Sequence, residues 1–220
     1  MSDLFSRFAE LLRELDVVVP LDQPVRIEQL IPLFKKHANL HTVKLVGVTT
    51  KRVGGVHAGH SSGLAVAIYQ RCELHPNPGQ SDRRCPGCQA ARYDIAKELT
   101  HSLDGEHERT SPDASADKLL AQVVKQAWDG PEATADGFGG MCALELLVRF
   151  RARASLLGTS AVSPSLRLTM AIANDNYSEL ASQFAVPPHL LKHAFSETYT
   201  NAIKGWRLAY GLSVDPGGWE

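Results

Sequence analysis

The sequence predicts an α+β domain in which a small three-stranded antiparallel sheet carries helices on one face and continues into a helical C-terminal half. Three observations carry this prediction. Apolar residues recur at helical spacing through the first 37 positions. Between 41 and 70 the pattern alternates and becomes rich in β-branched residues. From Gln89 to about residue 209 the helical period returns.

The elements follow in order. Over residues 3–15, Leu4, Phe5, Phe8, Leu11 and Leu12 fall on one stripe, the mark of an amphipathic helix. A second helix runs from about Val25 to His37, with Ile27, Leu30, Ile31, Leu33 and Phe34 facing inward. HTVKLVGVT (41–49), RVGGVHA (52–58) and GLAVAIYQ (63–70) read as strands. Lys51 and the Gly59–Gly63 turn separate them at hairpin distances, so consecutive antiparallel pairing is the simplest arrangement. GEHERTSPDASAD (105–117) is polar, contains proline and lacks periodicity, as a flexible loop does. Helices are expected near 115–128, 132–153, 164–174, 177–184 and 188–209, and residues 211–220 form a tail. The organisation expected is a single domain over 1–210 with a metal-binding insertion at 72–88.

Charge excludes some functions and location narrows others. Lys and Arg number 23 against 24 Asp and Glu, so no general electrostatic pull toward nucleic acid or anionic lipid is expected. Arg7, Glu10, Arg13 and Glu14 interrupt the N-terminal segment, which lacks a secretory signal's apolar core, and no run is long enough to span a bilayer. The expectation is a cytoplasmic protein without a membrane partner. Thiols stay reduced there, so four cysteines argue for metal binding or burial before disulfides.

Cys72, His75, Cys85 and Cys88 form C-x2-H-x9-C-x2-C. Two residues between ligands let a tight turn aim both side chains at one ion. Pro76, Pro78 and Gly79, and then Pro86 and Gly87, suit such turns. Thiolates and imidazole bind zinc tetrahedrally, and a closed set of four protein ligands is ordinarily structural. The segment holds few apolar residues of its own, so a structural zinc would fold it. Cys142 stands apart in an apolar run and is expected in the core.

ARYDIAKELTHSLD (91–104) places Glu98 and His101 three apart on one helical face, beside an apolar stripe of Ile95, Leu99 and Leu103. In a helix of the form H-E-x-x-H two histidines bind zinc and the glutamate activates the bound water. Lys97 occupies the first histidine position here, and a protonated lysine cannot ligate a metal. The run from Arg92 to His101 resembles the R-[FY]-x-x-A-H-E-L-x-H segment of the ImmA/IrrE-type zinc metallopeptidases, apart from that lysine.

The resemblance implies a zincin-like fold, a strand such as GLAVAIYQ leading to the helix, and Glu98 as general base. It also implies a second, catalytic zinc bound by His101 and by an acidic residue from a later helix. Glu132, Ala135 and Asp136 fit the family's E-x-x-A-[ND] pattern. Ala143, Leu146 and Leu147 fit the apolar run that follows it, with Arg149 where proline is usual. The two patterns align only with an offset, so the third ligand is Glu132 or Asp136. The segment 177–199 is similar to the family's C-terminal tail. The implied partner is a protein, a transcriptional repressor of a mobile element or stress response, which an active enzyme would cleave.

Lys97 leaves three outcomes open. The site is vestigial and the scaffold binds a repressor; or another residue, His107, His57 or His60, completes the metal shell; or Lys97 serves metal-free chemistry. An alternative of another class is a zinc-containing DNA-binding regulator. Leu180, Ala181, Phe184 and Val186, then Leu190, Leu191 and Phe195, have the spacing of two short helices around a turn, as in a helix-turn-helix. Pro187 and Pro188 stand where basic residues would meet phosphates, followed only by His189, Lys192 and His193.

Overall fold

Leu64–Gln70 is the strand around which the structure is arranged. A computed structural model describes residues 2–21, 23–49, 56–60, 63–76, 81–103, 133–158 and 165–215, with only the backbone described at 2–4, 56–60, 133–138 and 198. The elements are α1 (Ser2–Val18), α2 (Ile27–His37), β1 (Thr42–Val48), β2 (Val56–His60), β3 (Leu64–Gln70), α3 (Pro86–His101), α4 (Ala133–Leu147), α5 (Phe150–Leu157), α6 (Leu166–Ala173), α7 (Ser178–Phe184), α8 (Pro188–Ala194) and α9 (Glu197–Ala209). The class is α+β, as predicted.

The predicted antiparallel sheet is corrected. The strand order is β1-β3-β2, with β1 and β3 parallel from Thr42↔Leu64 to Val48↔Gln70. β2 and β3 pair antiparallel from Val56↔Ile68 to His60↔Leu64. The physical reason lies in the strands themselves. Ala65, Val66, Ala67, Ile68 and Tyr69 are all buried, and a strand apolar on both faces belongs in the centre. β1 therefore takes the free edge of β3, where the amides of His41 and Thr42 donate to Gly63 O at 2.7 and 3.2 Å.

β3 separates two apolar clusters. Ala67 and Tyr69 join the main core, which also takes Leu11, Leu12 and Leu15 of α1, Leu30 and Phe34 of α2, Ile95 and Leu99 of α3, and Leu144, Leu146 and Leu147 of α4. Val66 and Ile68, on alternate positions, pack with Val46, Val48 and Leu64. α3 touches β3, α2 and α4 and is the central helix of the arrangement.

Two expected helices are broken. The one expected over 132–153 divides at Arg149, whose backbone is extended, and Glu145 Oε1 accepts the Phe150 amide at 3.0 Å. The one expected over 188–209 divides at Ser196, whose hydroxyl accepts the Tyr199 amide and caps α9. The expected loop at 105–117 and helix at 115–128 lie outside the described residues.

A buried ion network ties the helical half to α1. Glu145 accepts from Arg153 at 2.7 Å and Arg207 at 2.9 Å. Arg207 also reaches Asp16 at 3.1 Å, and Arg149 donates to Val19 O and Pro20 O. Among the described residues no helix is long and apolar enough to cross a membrane.

Candidate metal centre and the adjoining polar stripe

The metal-ligating residues come from the end of β3 and the start of α3. The Arg71 amide donates to Val48 O at 3.0 Å, holding the chain as it leaves the sheet toward Cys72. On the other side Asp82 forms a turn, its carboxylate accepting the Arg84 amide at 2.9 Å and its carbonyl the Cys85 amide at 3.2 Å. Gln89, buried, donates to Arg83 O at 2.7 Å and fixes this turn to the helix. Cys85 is the N-cap of α3, Pro86 takes the first helical position, and Cys88 lies in the first turn. Gly87 matters sterically: a Cβ there would stand 2.9 Å from Cys72 Sγ.

The four side chains converge. Their ligand atoms all lie within 4.8 Å of one another, and they can hold a metal ion. Cys72 Sγ is 3.5 Å from Cys85 Sγ and 3.8 Å from His75 Nδ1, and Cys88 Sγ is 3.4 Å from His75 Nδ1. A tetrahedron on bonds of about 2.3 Å to sulfur and about 2.0 Å to nitrogen has edges of about 3.5–3.8 Å. A disulfide would instead bring two sulfurs to about 2 Å. All the described cysteines are free thiols, and the three in the cluster are buried.

The thiols differ in acidity. Cys85 is held down to about 7, first by the Cys88 backbone amide, as suits a thiol at a helix N-terminus. Burial pushes Cys88 up to about 12. Cys85 is thus the more acidic of the two thiols, and an ion bound by the cluster would displace the thiol protons that remain. Cys142 lies fully buried in the core, as expected.

Farther along α3, Asp94, Lys97, Glu98 and His101 stand at i, i+3, i+4 and i+7, one stripe of the helix. Glu98 is 2% exposed and His101 8%. Lys97 Nζ lies 3.2 Å from Glu98 Oε1. Burial raises the Asp94 carboxyl to about 6, against the lowering effect of Lys97. α4 approaches through two glycines. A Cβ at Gly139 would stand 2.9 Å from His101 Nε2 and 3.4 Å from Lys97 Cγ, and one at Gly140 would stand 2.9 Å from the Tyr93 hydroxyl. Tyr93 instead donates to Gly140 O at 3.3 Å.

The structure thus brings Lys97, Glu98 and His101 together beneath α4. Asp136 lies on α4 one turn before Gly139, with only its backbone described, and Glu132 lies outside the described residues. His57 and His60 are on β2, again with backbone alone, and His107 lies outside. Among the described residues, the cysteine–histidine set is the one group close enough to share an ion.

Arg92 carries a role beyond the motif. Its guanidinium donates to Phe184 O at 2.8 Å, Ala185 O at 2.7 Å and Val25 O, joining α3 to α7 and to the start of α2. Ala185, left-handed at φ 54°, turns the chain between α7 and α8. Leu180, Ala181, Phe184, Val186, Leu191 and Phe195 are buried. Compared with protein families, curated proteins and solved structures, the chain matches none.

Proposed function

We propose that this chain is a zinc-containing, metallopeptidase-like protein of zincin-like fold whose catalytic centre has lost a ligand to Lys97, and which acts by binding a transcriptional repressor. The ion at Cys72, His75, Cys85 and Cys88 is zinc in this reading, because three thiolates and an imidazole form a closed shell without room for a substrate. That ion braces the start of α3 against the end of β3.

One observation carries the loss of catalysis: the Lys97 ammonium lies 3.2 Å from the Glu98 carboxylate, with the two side chains 14% and 2% exposed. In a peptidase of this kind the glutamate faces a metal-bound water. Here a fixed cation already neutralises it. A divalent ion beside His101 would meet that ammonium at short range, a repulsion of several kcal/mol where the effective dielectric is about 20.

Metal analysis tests the proposal. One zinc per wild-type chain is expected, lost in Cys72→Ser and kept in His101→Ala. Lys97→His is expected to take up a second ion, because it removes the cation and restores a ligand. Two ions in the wild type would overturn the reading. So would cleavage of a co-encoded repressor that disappears in Glu98→Gln.

A separate observation favours DNA binding as the second reading. α7 and α8 are joined by three residues with Ala185 left-handed, the layout of a helix-turn-helix. Against it, α8 opens on Pro188, and Lys192 is paired with Asp175 at 2.9 Å. Mobility-shift binding at physiological salt decides: no preference over random DNA removes this reading.

A further inference from the structure

A cavity of about 290 Å3 opens between the start of α2, the end of β3, the first turns of α3 and the metal centre. It does not depend on the peptidase-like reading, and it lies apart from the Lys97–Glu98–His101 stripe. Its walls divide by chemistry. Val25, Tyr69 and Ile95 give an apolar side, all three buried. Arg26, Arg71 and Arg83 give a cationic side; all are exposed, and none forms an ion pair among the described residues.

Charge at the cavity is mixed, with cations in excess. Four guanidinium groups line it, counting Arg92, against the carboxylates of Glu28 and Asp82. Asp82 is already committed to the Arg84 amide. A divalent ion held by three thiolates carries one net negative charge, so four positive charges against three negative leave the cavity positive. Burial first, and then the Arg83 charge, bring the Arg92 guanidinium down to about 9, against the raising effect of Glu28. Three guanidinium groups around an apolar recess suit a planar or tetrahedral oxyanion, which each can grip with two N–H groups.

We propose that this cavity binds a small organic oxyanion, a carboxylate or phosphate monoester with an apolar body, whose charged end meets Arg26, Arg71 and Arg83 while its body lies against Val25, Tyr69 and Ile95. Cys72, His75 and Cys88 form part of the same wall, so the cavity and the candidate metal centre share side chains.

Calorimetric titration of the metal-loaded chain tests this, with phenyl phosphate, benzoate, inorganic phosphate and benzyl alcohol as probes at constant ionic strength. Saturable binding of phenyl phosphate or benzoate is expected, and which of the two binds tighter identifies the oxyanion. Inorganic phosphate, lacking the body, and benzyl alcohol, lacking the charge, are each expected to bind at least tenfold more weakly, and Arg71→Ala combined with Arg83→Ala to weaken the aryl oxyanion by roughly tenfold or more. Both arginines are exposed and form no ion pair among the described residues, so the double variant is expected to melt like the wild type. No saturable binding of either aryl oxyanion to the wild-type chain overturns the proposal. So does equal affinity in the double variant.

Discussion

At Gly87 two effects of one methyl group oppose each other. Alanine is the better helix former by about 1 kcal/mol, so Gly87→Ala favours α3 in the metal-free chain. The added Cβ, however, would stand 2.9 Å from Cys72 Sγ, and a metal-bound sulfur has no freedom to retreat. Metal affinity is therefore expected to fall about tenfold, the scale of losses when a ligand's support is disturbed. Competition with a chromophoric chelator measures it, and unchanged affinity would show that the first turn of α3 does not close on Cys72. Asp94 has a different signature. Its carboxyl is raised to about 6, so in the folded chain it takes up a proton that the unfolded chain would release. The resulting penalty is absent below about pH 4 and complete above about pH 6. Asp94→Asn is accordingly expected to stabilise the protein at pH 7 by on the order of 2 kcal/mol and to do almost nothing at pH 4. Urea unfolding at the two pH values checks the sign; a gain that is equal at both would remove burial of the charge as its cause.

At the scale of elements, α3 does two jobs with two ends. Its start carries Cys85 and Cys88 of the candidate metal centre, and its middle is held by Ile95, Ala96 and Leu99 in the main core. Cys72, Cys85 and Cys88 form a cluster separate from that core, so the two ends are stabilised independently. Removing the ion is expected to open the chain locally, not globally. The Gln89 amide, bonded to Cys85 O at 3.0 Å, should lose protection from hydrogen exchange, whereas amides near Leu99 keep theirs. Global unfolding on chelation would mean that the ion holds the whole fold. Part of this element was legible in the residues: the ligand spacing and the period of Ile95, Leu99 and Leu103 are local signals, whereas Pro86 and Gly87, read as a turn between ligands, are the first two residues of α3. The direction of β1 was not, because hairpin-length connections favour consecutive pairing, and only the unbroken apolar run in β3 hints that it takes the centre. The breaks at Arg149 and Ser196 also escape periodicity, since each depends on side-chain bonds that a stripe of apolar residues does not register. Nor did spacing alone reveal that Lys97 would lie against Glu98 beneath Gly139, for that requires knowing which helix covers the stripe.

For the whole molecule, the least legible feature is the one that joins its two ends. Arg149, Arg153 and Arg207 are 0–2% exposed, and Glu145 is 0% exposed, although nothing in their spacing distinguishes them from surface charges. Three guanidinium groups share two carboxylates, those of Glu145 and Asp16. The remaining donors find backbone carbonyls: Arg153 reaches Val148 O at 2.9 Å and Ala194 O at 2.7 Å, near the ends of α4 and α8, where helix dipoles favour a cation. Glu145 is the hub, since it also accepts the Phe150 amide at the break between α4 and α5. Glu145→Gln keeps the shape but removes the charge that two buried guanidiniums face, and stranding a buried ion costs about 3–5 kcal/mol. A loss of that size in urea unfolding is expected, with the same substitution leaving metal content unchanged because the centre lies in a separate cluster. A loss below about 1 kcal/mol, the scale of an exposed pair, would show that water reaches Arg153 and Arg207 and that the network does not bind the C-terminal helices to α1.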